Sequence, residues 1–172
     1  MKKVRLGILL LASSVLLGCA GNIKDGITFL EEENYEAAID CFEKEIAEKK
    51  NLDEAYRGMG IAQYELGDYS AAVESLESAL ANETEKTASI YNLIAVSYLQ
   101  MDEYETALDY YAKALKKEDC TEEMKQEILY NEIAIYQELG DWETLKEKVS
   151  AYMEAYPEDD RMDKTAEFLE TR

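Results

Sequence analysis

Apolar and small residues recur along most of this chain at a helical spacing, and that pattern itself returns about every 34 residues. Each unit opens on an aromatic residue, with intervals of 34, 35 and 38 residues between successive units: Tyr35, Tyr69, Tyr104 and Trp142. A large apolar residue follows seven positions later in every unit: Phe42, Leu76, Tyr111 and Val149. In the first three units an alanine lies three positions after the aromatic residue: Ala38, Ala72 and Ala107. This spacing predicts an amphipathic helix behind each aromatic residue.

Another helix precedes each aromatic residue. We call it the first helix of the unit, and the helix behind the aromatic residue the second. Gly67 and Gly140 stand two positions before Tyr69 and Trp142, where an earlier helix has to end in a left-handed conformation. Asn34, Asp68 and Asp141 directly precede an aromatic residue and are predicted to cap the helix that follows. Each unit is therefore a helical hairpin, and hairpins that repeat at this period bury their apolar faces by stacking.

The first helices carry the pattern Tyr56-Met59-Gly60 and Tyr91-Ile94-Ala95. Together with the 34-residue period and the later alanines, this pattern resembles the tetratricopeptide repeat (TPR) family over about residues 22–157. The resemblance implies an all-α fold, a right-handed α-solenoid of about four hairpins. The fourth hairpin departs from the pattern, with Ile133 for the small glycine and Leu145 for the small alanine.

We divide the chain accordingly. Residues 25–157 form the solenoid, with second helices that start near residues 35, 69, 104 and 142. Residues 158–172 are predicted to form a capping helix, which a solenoid needs to shield its last apolar face. Its apolar positions are Met162, Ala166, Phe168 and Leu169.

TPR arrays commonly bind ligands on the concave face lined by the first helix of each hairpin, which we call the inner face. The resemblance places four groups of residues there: Ile27, Leu30 and Glu31; Arg57, Ile61, Tyr64 and Glu65; Asn92, Val96, Leu99 and Gln100; and Tyr130, Ala134, Gln137 and Glu138. The predicted peptide-binding residues are Arg57, Ile61, Tyr64, Asn92, Val96, Leu99, Tyr130 and Gln137. The alternative for Tyr64 and Tyr130 is packing between neighbouring helices. Glu65 and Glu138 oppose the family's clamp for acidic carboxyl-terminal peptides, so we do not expect that specificity here.

The amino terminus resembles a bacterial lipoprotein signal peptide. A basic start, with Lys2, Lys3 and Arg5, leads into an apolar run at residues 6–17 that is too short for a membrane span of about 20 residues. The run ends in Leu16-Leu17-Gly18-Cys19, a lipobox. We expect residues 1–18 to be removed, Cys19 to be lipidated, with acyl chains such as palmitate, and residues 19–24 to be a short linker. An ordinary secretory signal or an uncleaved anchor are the alternatives.

Charge and composition narrow the choice of partners. The formal net charge is −20, and it becomes −23 once the three basic residues of the signal peptide are removed. A chain this acidic is repelled by phosphate backbones and by anionic membrane surfaces, so we expect no nucleic-acid partner and attachment through lipid alone. The chain has no histidine, which is the commonest general base and metal ligand.

The remaining chemistry is sparse. Cys41 and Cys120 fall two hairpins apart, too far for a disulfide between them, and the sequence leaves their redox state open. A calcium site near Asp159, Asp160 and Asp163 is conceivable, but it lacks EF-hand spacing. No catalytic motif is present, so we expect no enzyme, no cofactor and no metal.

These observations lead to one functional expectation. The chain is predicted to be a lipid-anchored, extracytoplasmic scaffold that binds a peptide or protein segment of the bacterial cell envelope on its inner face. An accessory subunit of an envelope enzyme or solute-capture system is one alternative, and a self-associating structural component is another. The client, the membrane and the oligomeric state are left open.

Overall fold

The computed structural model describes residues 23–82 and 87–171. Within these ranges the chain is all-α, as predicted, and forms four antiparallel helical hairpins: α1 (Ile23–Glu31) with α2 (Tyr35–Ala47), α3 (Leu52–Glu65) with α4 (Tyr69–Asn82), α5 (Ala88–Gln100) with α6 (Tyr104–Leu115), and α7 (Glu122–Leu139) with α8 (Trp142–Ala155). A short 3-10 turn (Asp160–Met162) leads into α9 (Asp163–Glu170). The lipobox and Cys19 lie outside the described residues. No described helix is both long and apolar enough to span a bilayer.

Stacking of the hairpins produces a solenoid with two layers. Each second helix packs against the first helix of its own hairpin and against the first helix of the next, and α8 packs against α9 instead. Consecutive first helices also touch, α1 with α3 and α3 with α5. Because these contacts draw the first helices together, they form the inner layer, and the predicted ligand-binding residues belong to it.

Small residues allow the close approach of helices within the first three hairpins. Ala38, Ala72 and Ala107 are completely buried. A Cβ atom built at Gly60 would stand 2.6 Å from Cγ of Leu76, so α3 and α4 could not pack as they do around a larger residue. Gly26 and Gly58 both face the ring of Phe42, which therefore occupies the space between α1 and α3.

The turns inside the hairpins follow the prediction in part. Gly67 and Gly140 have φ of +80° and +68°, and glycine adopts this conformation without steric cost. The corresponding positions of the first and third hairpins, Glu33 and Asp102, adopt φ of 57° and 59° without a glycine.

The predicted caps are confirmed at two of three positions. Asp68 Oδ1 accepts the amide of Ala71, and Asp141 Oδ1 accepts the amide of Thr144. The prediction that the Asn34 side chain caps α2 is wrong, because this side chain makes no cap hydrogen bond. Asn34 begins the helix through its carbonyl oxygen alone, which accepts the amide of Ala38.

The C-terminal cap is held to the fourth hairpin by an apolar cluster and a polar network. Met162 and Leu169 pack into the core of α7 and α8 with Leu145 and Val149. The Asp159 carboxylate accepts hydrogen bonds from the Tyr152 hydroxyl, the Gln126 amide and the Arg161 guanidinium. Arg161 also pairs with Glu127 at 2.9 Å, so two residues of the cap segment are tied to α7 and α8.

Candidate functional site

The inner face in the middle of the array combines apolar side chains with two polar ones. Ile61, Val96 and Leu99 lie on the first helices α3 and α5 and are half-buried. Arg57 and Asn92 stand on the same two helices and are also half-buried. These side chains are neither sealed in the core nor fully solvated, and partly buried positions of this kind are available to a ligand that lies along the helices.

Asn92 has a distinctive polar environment. Its Oδ1 atom is buried and accepts no hydrogen bond from the described residues. A buried acceptor without a donor weakens a fold by about 1–3 kcal/mol, so such an atom needs an explanation. Among the residues that the structure describes, none supplies a donor to this atom.

Tyr64 has contacts with its own hairpin. Its ring lies 5.4 Å from the ring of Tyr69, centroid to centroid, at the start of α4. Burial raises the pKa of Tyr64, and the neighbouring Tyr69 and Glu65 raise it further, so the hydroxyl stays protonated at neutral pH. Tyr64 is therefore a half-buried, neutral aromatic residue that serves both the packing of the hairpin and the surface of the inner face.

Tyr111 lies beneath this part of the inner face. It is completely buried on α6, and its hydroxyl makes no hydrogen bond with the described residues. Burial raises the pKa of Tyr111, the nearby Asn131 partly offsets that effect, and Tyr64 and Glu132 add to it. The repeat spacing predicts Tyr111 only as a large apolar residue and gives no sign that its hydroxyl is buried without a hydrogen bond.

Tyr130 has a packing role in the fourth hairpin. Its ring meets the ring of Tyr152 at a centroid distance of 6.4 Å, and the Arg161 guanidinium lies 4.3 Å from its centroid. Tyr130 therefore belongs to the contact between α7, α8 and the cap, which is the packing alternative considered for it. Gln137, on the same helix, is exposed.

No residue cluster suited to a metal ion occurs among the residues at 23–82 and 87–171. The Asp159 carboxylate, which belonged to the conceivable calcium site, is occupied by Arg161, Tyr152 and Gln126. Cys120 is a partly exposed free thiol, so the expectation that no disulfide joins it to Cys41 is confirmed.

Comparison with known proteins agrees with the two-layer array of hairpins. Residues 57–120, which contain most of α3 and all of α4–α6, match the family model described as tetratricopeptide repeat. Over these residues the chain is similar to tetratricopeptide repeats. No curated protein sequence matches this chain.

Solved structures share its fold. MamA AMB-1 superposes with a TM-score of 0.69 and 16% identity, over 85% of this chain and 77% of MamA. YrrB, described as a TPR protein with an unusual peptide-binding site, gives a TM-score of 0.66 and 16% identity, over 78% of this chain and 67% of YrrB. The C-terminal part of a TPR repeat-containing protein from Cytophaga hutchinsonii gives 0.54 and 15%, over 79% of this chain and 65% of that one. At these identities the likeness concerns the fold alone.

Proposed function

We propose that this TPR protein is a non-catalytic scaffold that binds a segment of another protein on its inner face, between α3 and α5. The observation that carries the proposal is the buried Oδ1 atom of Asn92, which has no hydrogen-bond donor among the described residues and lies on the same helix as the half-buried Val96 and Leu99. An extended or helical peptide offers N–H donors and apolar side chains together. Both are needed to fill this surface.

The Asn92→Leu variant tests the proposal, because a binding role and a structural role predict opposite changes in stability. Leucine removes the unsatisfied acceptor at similar size, so we expect the free energy of unfolding in urea to stay constant or rise. Capture of a client by crosslinking from native membranes should fall. A variant that loses stability while it keeps the same client would contradict the proposal.

A matched control separates the inner face from the rest of the surface. Glu74 is exposed on the second helix α4, away from the first helices, and Glu74→Leu should leave client capture unchanged. Tyr64→Ala is a further variant of the inner face, but its contact with Tyr69 requires that its melting temperature be measured as well. Tyr130→Ala is unsuitable, since Tyr130 holds the cap through Tyr152 and Arg161.

We also propose that the scaffold is attached to a bacterial membrane from the outside by lipid on Cys19. The support is the basic start, the short apolar run and the Leu16-Leu17-Gly18-Cys19 lipobox of the sequence. Two or more acyl chains give stable anchoring, whereas one chain binds only marginally. The anchor confines both the scaffold and its client to a thin layer, which raises their effective concentration.

The Cys19→Ala variant tests the anchor. It should accumulate as precursor or leave the membrane fraction, and it should lose incorporation of a labelled fatty acid. Cys120→Ala is the matched control, because Cys120 is a partly exposed free thiol and should keep the label. Mature, membrane-bound protein in the Cys19→Ala variant would contradict the anchor. A disulfide between Cys19 and Cys41 in the wild-type protein would also contradict it, because the Cys19 sulfur could then carry no lipid.

A further inference from the structure

The large apolar side chains that stay exposed share one side of the solenoid. Among the described residues they are Leu66, Leu139, Trp142 and Phe168, each between 42% and 44% exposed. Leu66 and Leu139 hold equivalent positions, three residues before the aromatic residue of the second and fourth hairpins. Trp142 begins α8, and its ring centroid lies 6.0 Å from that of Phe168. Leu66, Leu139 and Trp142 lie at the turns inside the hairpins, and Phe168 contacts Trp142.

The topology brings all of these turns to the same edge. In an antiparallel array every turn from a first to a second helix lies at one edge, and every connection to the next hairpin lies at the other. We call the first of these the hairpin edge and define it by its ranges: residues 27–38, 61–72, 96–107 and 134–145. It continues over successive hairpins and adjoins the inner face, with which it shares the C-terminal ends of the first helices.

The charge of the hairpin edge is of one sign. Its four ranges contain 12 aspartate and glutamate residues and no lysine or arginine. At the opposite edge, residues 43–56 and 112–126 contain nine acidic and seven basic residues. Within the described part of the chain, the ion pairs do not involve the carboxylates of the hairpin edge. The edge is therefore a negative, uncompensated surface with exposed apolar side chains.

Helix stability explains only part of this charge. Glu36, Glu105 and Glu143 stand in the first turn of a second helix, where the helix dipole favours negative charge. Glu31, Glu65 and Glu138 stand in the last turn of a first helix, where the dipole disfavours it. None of α1, α3, α5 and α7 has a basic residue in its last turn. The carboxylates at these helix ends are opposed by local energetics.

Carboxylates from neighbouring hairpins act on the same aromatic residue along the edge. Burial raises the pKa of Tyr35, and so do Glu65 of the next hairpin and Glu33 of its own. The pKa of Tyr104 is raised by its hydrogen bond to Asp102, then by burial, and by Glu138 of the next hairpin. Each of these aromatic residues is thus influenced by carboxylates of two hairpins, and the sequence carries acidic residues in each of the four ranges of the edge.

We infer that the hairpin edge is a second docking surface, which binds a segment of a partner protein rich in lysine and arginine and bearing large apolar side chains. Charge complementarity selects the occupant, because phosphate backbones and anionic membrane surfaces are repelled by this edge. Leu66, Leu139 and Trp142 receive the apolar side chains of that segment. The surface adjoins the peptide site proposed on the inner face, but Asn92, which carries that proposal, lies outside the ranges of the hairpin edge.

A binding titration with defined peptides tests the inference. Full-length protein in a non-ionic detergent is titrated with three labelled 12-residue peptides, composed of Lys and Leu, of Lys and Ser, or of Glu and Leu. Anisotropy measures binding against a detergent blank, and Trp142, the single tryptophan of the chain, reports contact at the edge by its emission. We expect the Lys and Leu peptide to bind most tightly, to shift the emission, and to weaken as salt is added.

Matched charge reversals locate the site. The edge variant combines Glu65→Lys, Glu103→Lys and Glu138→Lys, all exposed positions without a side-chain hydrogen bond in the described structure. The control variant makes the same change in net charge at exposed positions away from the edge: Glu43→Lys, Glu74→Lys and Glu118→Lys. We expect the edge variant to weaken binding about tenfold or more and the control less than about twofold.

Three results would overturn the inference: equal weakening by both variants, equal affinity for the Glu and Leu peptide, or no binding at low ionic strength. Circular dichroism establishes that both variants are folded before the comparison is made. The Asn92→Leu variant should bind the Lys and Leu peptide as wild type does. Because Asn92 lies outside the hairpin edge, a negative result with the charge reversals would contradict the edge without contradicting the proposal for the inner face, and the reverse also holds.

Discussion

The second hairpin and the fourth hairpin pack their two helices with residues of opposite size at equivalent positions. In α3 and α4, Gly60 faces Leu76, and Ala72 is completely buried. In α7 and α8 the corresponding residues are Ile133 and Leu145, at 2% and 0% exposure. Both hairpins exclude water from the contact, but the second does so by close approach of the backbones and the fourth by bulky side chains.

The difference has a consequence for what holds each hairpin in place. In the second hairpin the backbones of α3 and α4 approach closely, so few side-chain atoms form the contact between them. The next hairpin covers its outer side. The fourth hairpin has no further repeat and relies on the cap, with Met162 and Leu169 in its core and Asp159, Arg161 and Tyr152 bridging to it. At this end of the solenoid, large residues and a polar network take the place of the contact with a further repeat.

The largest effect on stability is expected when a large buried side chain of the fourth hairpin is truncated. Leu145→Ala should lower the free energy of unfolding by about 2–5 kcal/mol, because it leaves a cavity between α7, α8 and the cap. Urea denaturation followed by circular dichroism measures it. A loss of stability as small as that of an exposed substitution, for example Glu147→Ala on the same helix, would contradict the role of bulky side chains in the fourth hairpin.

The opposite change in the second hairpin should have a somewhat smaller effect. Ala72→Leu forces a large side chain into the contact of α3 with α4, and overpacking of this kind costs about 1–3 kcal/mol. The measurement is the same urea titration. If leucine were accepted at position 72 without loss of stability, the close approach of these two helices would not be what defines the hairpin.

A smaller and pH-dependent effect should come from the cap network. Arg161, and then Tyr152, hold the pKa of the Asp159 carboxyl below its ordinary value. A depressed pKa in the folded state stabilises the fold above the unfolded pKa of about 3.9, and this contribution is lost as the pH falls below it. Asp159→Asn should therefore lower the melting temperature at pH 7 and lose its effect in strong acid.

The neighbouring Asp160 provides the control for this experiment. It is exposed and lies next to Asp159, so Asp160→Asn makes the same change in charge outside the network. Its melting temperature should follow that of the wild type at each pH. A shift shared by both variants would assign the effect to net charge, and the network would then not distinguish the fourth hairpin.

The smallest effect is expected at the turns, where the two hairpins are alike. Gly67 and Gly140 are both left-handed with open space around the position of a Cβ atom. Gly67→Ala and Gly140→Ala should each cost about 1 kcal/mol, since the strain is local to the backbone. Unequal losses would extend the difference between the hairpins to their turns, where the structure shows none.

Much of the repeated part could be predicted because its signals are local in sequence. The all-α fold follows from spacings within a single hairpin: an aromatic residue, a small residue three positions later, and a large apolar residue seven positions later. The left-handed glycines and the caps at Asp68 and Asp141 are local in the same sense. The Asn34 cap failed because several side-chain orientations are compatible with a carbonyl that begins a helix.

The candidate site was less accessible to sequence analysis. Repeat register places Asn92 and Tyr130 at related positions, but it cannot show that one carries a buried acceptor without a donor and that the other lies beneath Arg161. The cap network joins α7, the end of α8 and the segment beyond it. No spacing of residues in the sequence predicts such contacts. Residues that depend on a distant partner are the ones that pattern analysis misses.

One contact of the third hairpin bears on the order in which the chain folds during synthesis. The first amide of α5, at Ala88, donates to both carboxylate oxygens of Asp119, at 3.1 and 3.0 Å. Asp119 lies 31 residues further along the chain, whereas the caps of α7 and α8 are adjacent in sequence. A growing chain exposes its N-terminal parts first. The amide that begins α5 therefore gains this acceptor only after the segment that follows α6 has been made, whereas α7 and α8 carry their caps with them.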